Sequence, residues 1–153
     1  AFAKAQTEGR ELFIYGEGSE RARLTALIER LGLVGRVHLP GFVEGMEKVI
    51  EQADLLLLTS RYEGRPNVVV EALAAGSPVV ATESSVAMRE LLSEPASGRL
   101  LTVREPEAVA RAIEDVLAAP RPEPTQSTVD ALASARAYIE TFDKAVSRRG
   151  AGR

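Results

Sequence analysis

Two glutamates, Glu63 and Glu71, stand with seven residues between them, and the stretch that joins them is Gly64-Arg65-Pro66-Asn67-Val68-Val69-Val70. Three consecutive valines alone would suggest a strand. Pro66 suits the first position of a helix, however, and the Ala/Leu-rich continuation to Gly76 favours a helix over this segment. The first amides of a helix have no intrahelical acceptor and lie at its positive end. Arg65, Asn67 and Val68 therefore offer N–H groups suited to a phosphate, while Pro66 has none to offer. Gly64 lets a ligand approach the backbone closely. Asn67 and Glu71, four apart, share one helix face, and Glu63 and Glu71 would flank the same mouth. A carboxylate accepts hydrogen bonds from two hydroxyls, so the pair suits a ligand with sugar rings. Glutamates near a helix N-terminus are also favourable as plain solvated charges. The residues alone leave both readings open.

Other candidates carry less. Gly16-Glu17-Gly18 resembles the start of a dinucleotide fingerprint, but Arg21 occupies the third glycine position, and a bare turn explains it as well. His38, the sole histidine, lies on a short buried-looking strand and reads as structural. The four aspartates include no Asp-x-Asp pair, the usual holder of a divalent ion on a diphosphate. Neither a Walker loop nor a nucleophile elbow is present.

The elements that must position these residues alternate regularly. Leu12 to Tyr15 reads as a strand, followed by a helix with Ser19 as N-cap, Leu24, Leu27, Ile28 and Leu31 on one face, and Gly32 as its stop. Val37 to Leu39 is a second strand, ended by Pro40-Gly41. Met46, Val49, Ile50 and Ala53 fall at helical spacing. Leu55 to Leu58 is a continuous apolar run, the pattern of a strand buried on both faces. After the Pro66 helix come strands at Val79 to Ala81 and Leu100 to Val103. Helices are expected around Met88 to Leu92 and over Val109 to Leu117. Five strand–helix alternations predict a doubly wound parallel sheet in the α/β class. Pro120 to Pro124 reads as a stiff linker, extending to residue 128, and 129–153 as a terminal helix with one narrow apolar stripe. That leaves 1–119 as the ligand-binding domain. In such sheets ligands bind outside the carboxyl ends of the strands, where both glycine-bearing loops fall.

Composition narrows the classes. With 153 residues, 45% apolar and 27% charged, the chain has the usage of one soluble globular domain. A net charge of −3 gives no reason to expect nucleic acid. Cysteine is absent, which excludes disulfides and thiolate metal sites and fits a cytoplasmic setting. The opening at Ala1, without methionine and within what reads as the end of a helix, is expected for a piece cut from a longer chain.

The segment Ser60-Arg-Tyr-Glu-Gly-Arg-Pro-Asn-Val-Val-Val-Glu-Ala-Leu-Ala-Ala-Gly-Ser-Pro-Val-Val-Ala-Thr82 resembles the donor-binding signature of glycosyltransferase family four, whose hallmark is the same double glutamate. Leu12–Gly18, Leu31-Gly32-Leu33, Arg36 to Phe42, Ala53-Asp54 and Gly98 to Val103 match in register as well, so the likeness runs from about Ala1 to Ala118. The wording Tyr-Glu-Gly-x-Pro-Asn is similar to members that build lipopolysaccharide cores and related surface glycans.

The resemblance implies the Rossmann-like C-terminal half of a GT-B enzyme that is retaining, metal-independent and uses a nucleotide-diphosphate sugar. By motif, Glu71 would bind the ribose hydroxyls, and Glu63 would hold the donor sugar near its reacting carbon. Amides at Arg65 to Val68 would face sugar and phosphate. Gly16 and Gly18 would border the nucleotide, and Pro40-Gly41 its base. A glycan or lipid-linked acceptor would be bound by an N-terminal domain lying outside this chain, and the parent enzyme could associate peripherally with the inner face of the membrane. The family's sheet order, 3-2-1-4-5-6, makes the visible strands numbers two to six. Leu12–Tyr15 and Leu55–Leu58 would then flank a vacant slot and leave a fragment of marginal stability.

Two departures stand out. Glu83-Ser-Ser-Val-Ala-Met-Arg-Glu90 replaces the Gly-rich turn usual after the Ala81-Thr82 position, and the basic residues that grip the diphosphate in the family's first strand have no counterpart. Rival readings are a GT-B epimerase fragment, a nucleotide-sugar-binding module without transferase activity, and a receiver-like regulatory module. The last needs an aspartate at the end of a strand, whereas Asp54 stands at a beginning.

Overall fold

A computed structural model describes residues 1–124; the expected terminal helix over 129–153 and the end of the linker lie outside them. Five strands alternate with five helices: β1 (Leu12–Tyr15), α1 (Arg21–Arg30), β2 (Val37–Gly41), α2 (Met46–Gln52), β3 (Leu56–Leu58), α3 (Asn67–Ala74), β4 (Val79–Thr82), α4 (Val86–Leu91), β5 (Gly98–Leu101) and α5 (Pro106–Ala118). Every strand pair is parallel.

The strands form two sheets, β1-β2 and β3-β4-β5, and no ladder joins them. β4 is central in the larger sheet and buried along its whole length. Its side chains alternate between faces as a strand requires. Val79 and Ala81 pack with Leu56, Leu58, Ile50, Val69, Ala72 and Met88, the side of α2, α3 and α4. Val80 packs with Leu55, Leu57, Val109, Ala112 and Ile113, the side of α5. Helices thus cover both faces, as the alternation of elements predicts.

β3 departs from expectation. Its leucines are covered from both faces, yet each remains half-exposed, because the strand has one neighbour and its other edge is open. That edge borders a cleft of about 540 Å³ lined on one wall by Leu12, Phe13 and Tyr15 and on the other by Leu55, Leu56 and Leu57. An ion pair, Arg10 Nε to Asp54 Oδ2 at 3.4 Å, links the segments that enter β1 and β3. The arrangement is the one the family sheet order implies for strands two and four.

Several boundaries shift. α1 begins after Glu20 rather than Ser19, with no side-chain cap; Gly18 O instead accepts from the Arg21 amide. Its stop is as expected: Gly32 takes φ +66°, and Leu33 N–H donates to Ile28 O. Pro66 caps α3 rather than occupying its first turn. β5 begins two residues earlier than its apolar run, at Gly98, whose φ of +138° is a conformation only glycine adopts readily. The N-terminal segment forms a 3₁₀ turn, Phe2–Lys4, held to α5 by Lys4–Glu107 at 2.9 Å and by the Gln6 amide on Glu114 at 2.6 Å. At the other end Arg121 donates to Gly76 O and Glu51 O, which pins the start of the linker across the ends of α3 and α2.

Candidate functional site

The residues singled out from sequence fall at the carboxyl ends of the strands, in two groups. The first joins the loops after β1 and β2. Gly16 N–H donates to Gly41 O at 2.8 Å, and Tyr15 pairs in register with Gly41. Arg21, on the first turn of α1, donates to Leu39 O at 2.7 Å and to Glu17 Oε1 at 3.1 Å. Glu17 is thereby laid against Gly41, where a Cβ would collide with its carboxylate. Gly41 is glycine for its φ of +85°; the Glu17 carboxylate, at the end of a flexible exposed side chain, could swing aside. Gly16 and Gly41 are thereby joined, and Arg21 ties Gly18, whose carbonyl accepts from its amide, to the end of β2.

The second group is the passage from β3 to α3. Residues 59–66 connect the two, and within them Glu63 is half-buried while Arg61, Tyr62, Gly64 and Arg65 are exposed. Pro66 is buried under the start of the helix. Asn67 and Glu71 both lie exposed on the same helix face. The free amides are fewer than expected: the Asn67 N–H turns back onto Arg65 O at 2.8 Å, whereas those of Arg65 and Val68 have no acceptor among the described residues. Glu63, Glu71, Arg61 and Arg65 form no ion pair among the described residues, while Arg10, Arg21, Arg23 and Arg89 each do. A concentration of uncommitted charge at a helix N-terminus suits a charged, hydroxyl-rich ligand. No hydrogen bond or ion pair joins this group to the first one among the described residues.

The Glu83 turn, for which the sequence offered no role, supports the second group. Glu63 N–H donates to Ser84 O at 3.3 Å, and Thr82 Oγ1 donates to Ser60 O at 3.1 Å. Glu83 pairs with Arg89, six residues on in the last turn of α4, with Nε to Oε1 at 2.9 Å; this hydrogen bond raises the Arg89 guanidinium above its ordinary pKa. The Ser84 and Ser85 hydroxyls are shielded from solvent and have no hydrogen-bond partner among the described residues. Arg104, beyond β5, reaches the same loops. Its role has no sequence signature, since a basic residue after a strand is ordinarily a solvated charge.

His38 takes the structural part. It stacks on Phe13 with centroids 4.7 Å apart, and its Nε2 lies 2.7 Å from Glu11 Oε2 without hydrogen-bond geometry. Asp54 precedes β3, as the sequence places it.

Comparison with known proteins follows the same outline. The model of the family described as glycosyl transferases group 1 matches residues 1–119. The lipopolysaccharide core biosynthesis glycosyltransferase LpsE of Rhizobium meliloti is 32% identical over 116 residues, which cover 76% of this chain and 34% of LpsE. Anabaena HepE, solved in complex with UDP and glucose, superposes with a TM-score of 0.65 at 28% identity over 94% of this chain and 41% of HepE. A mutant of Staphylococcus aureus TarM, solved with fondaparinux, alpha-GlcNAc-glycerol and UDP, gives a TM-score of 0.66 at 28% identity, covering 70% of this chain and 22% of TarM. The chain thus spans about a third of the length of LpsE.

Proposed function

This chain belongs to the glycosyl transferases group 1 family, and we propose that it binds the nucleotide-diphosphate sugar donor of a retaining glycosyltransferase. The carrying observation is the junction of β3 and α3. There a half-buried carboxylate, Glu63, stands beside a helix N-terminus with open amides at Arg65 and Val68, and an exposed second carboxylate, Glu71, follows one turn on.

The roles follow from the chemistry of each group. Glu71 accepts hydrogen bonds from the two ribose hydroxyls, and Glu63 accepts from the donor sugar next to its reacting carbon. The open amides and positive end of α3 lie where charge grows on the departing diphosphate, so they stabilise it without a metal ion. Gly16 and Gly18 border the nucleotide, and Pro40-Gly41 its base. Residues 1–119 form the donor-binding unit. Within the whole enzyme the sugar passes, with retention, to a glycan or lipid-linked acceptor held by another domain. No helix among the described residues is long and apolar enough to cross a membrane; a peripheral place at the inner membrane face, on the cytoplasmic side, belongs to the same proposal.

UDP serves as the probe, since HepE and TarM were solved with it. Calorimetric titration with UDP should give the same affinity in a chelator as in magnesium. Binding that strictly required magnesium would contradict the metal-free site, and no binding in either buffer would contradict the donor site itself.

A further inference from the structure

Arg104 lies three residues beyond the end of β5 and reaches back over two neighbouring loops. Its Nη2 donates to Glu83 O at 2.7 Å and to Ser60 O at 3.3 Å, with Arg61 O at 3.5 Å. Among the described residues it is the one side chain that bonds both the loop after β3 and the turn after β4. Glu83 N–H in turn donates to Leu101 O at 2.7 Å, which closes the stitch back to β5.

The loop it touches has little else to hold it. Of residues 61–65 only Glu63 is even half-buried, and Tyr62 is 82% exposed, so packing does not fix the path from β3 to α3. Hydrogen bonds must. Besides Arg104, the first half of that loop has Thr82 Oγ1 on Ser60 O and the Glu63 amide on Ser84 O. Arg104 makes no ion pair among the described residues, so carbonyl oxygens are its partners there. All three carbonyls meet the single nitrogen Nη2, whose two hydrogens serve Glu83 O on one side and the Ser60 and Arg61 carbonyls on the other.

We propose that Arg104 is a positioning residue: it sets the loop 60–64, and through it the Glu63 carboxylate, at the height the donor sugar requires. This rests on the donor-site reading above. Its consequence is selective. Glu71 and the open Val68 amide belong to the helix and are independent of the strut, so the nucleotide should bind without it. The sugar, held by Glu63, should not.

The full chain carrying Arg104→Met or Arg104→Lys tests this by titration with UDP and with UDP-glucose, alongside amide hydrogen exchange. For Arg104→Met, UDP affinity should stay within about two-fold of the parent while UDP-glucose affinity falls about ten-fold, with Arg104→Lys between. Amides at Arg61 to Gly64 should exchange faster in the Met variant, while those of β4 and α5 should not. Equal losses for both ligands, or unchanged exchange at Arg61 to Gly64, would overturn the proposal. If the parent chain bound neither ligand, the donor-site reading would fail, and the exchange result would still decide whether Arg104 holds the loop.

Discussion

At the scale of single residues, the two glutamates make separable demands. Glu71 stands on a regular helix and Glu63 in an irregular loop, and the proposed roles give the nucleotide to the first and the sugar to the second. Glu71→Gln should therefore weaken UDP binding by about 1–3 kcal/mol, the worth of charge-assisted hydrogen bonds. Glu63→Gln should leave UDP affinity nearly intact and lower turnover in the whole enzyme. Equal losses of UDP affinity in both variants, measured by calorimetry, would contradict the division. Gly64 offers a cleaner probe. A Cβ there meets no atom within 4 Å, and its φ is not in the left-handed region, so the fold has no need of glycine. Gly64→Ala should change stability by no more than about 0.5 kcal/mol, yet obstruct the ligand's approach. Thermal melts paired with UDP titration would show whether the two effects separate.

At the scale of elements, legibility followed the strength of each local signal. The alternation of strands and helices, the Gly32 stop and the helix over the three valines were readable because periodicity, proline and glycine each act locally. The edge exposure of β3 was not legible in the run itself, since four leucines read alike whether a strand has one neighbour or two; it followed only from the family sheet order. Gly98 was missed for a related reason. It begins β5 because its φ of +138° brings it against Val79 O of β4, where any Cβ would collide with backbone. Only the tertiary pairing reveals that. Gly98→Ala should accordingly cost about 3 kcal/mol through strain and overpacking, read from denaturant midpoints; a neutral substitution would mean the ladder can shift. The N-terminal turn depends on charge instead. Lys4, by its hydrogen bond, holds the Glu107 carboxyl below its ordinary pKa. A depressed folded pKa means the contribution is complete above the ordinary carboxylate range and is lost as pH falls through the folded value. Protection of the Lys4 and Ala5 amides, which donate to Ala1 O, should fall on acidification before the core unfolds when rates are taken relative to intrinsic exchange at each pH, and no such order would count against the tie.

At the scale of the molecule, the structure draws the candidate loops into two groups that no hydrogen bond or ion pair joins among the described residues, where the sequence put them all at the carboxyl ends of the strands. Gly16 bonds Gly41, and the Glu63–Val68 segment caps α3 at the carboxyl edge of β3. The sequence did not show that the Glu83 turn and Arg104 would brace Glu63, because those contacts join residues up to 44 positions apart. The cleft between β1 and β3 has its own consequence. Unpaired strand edges and half-exposed leucines line it, and each unsatisfied backbone group shielded from water costs about 1–3 kcal/mol. Residues 1–153 alone should melt low or associate; a monodisperse monomer unfolding cooperatively well above roughly 60 °C, where ordinary domains cluster, would contradict this. The most direct measurement of the donor site is a nitrogen–proton correlation spectrum of the labelled chain titrated with UDP in a chelating buffer. Shifts should converge on the amides of Gly16, Gly18, Gly41, Gly64, Arg65, Asn67, Val68 and Glu71. Shifts confined to the shallow outer face of α1, around Arg21, Thr25 and Glu29, or to the cleft between the sheets, would contradict the assignment.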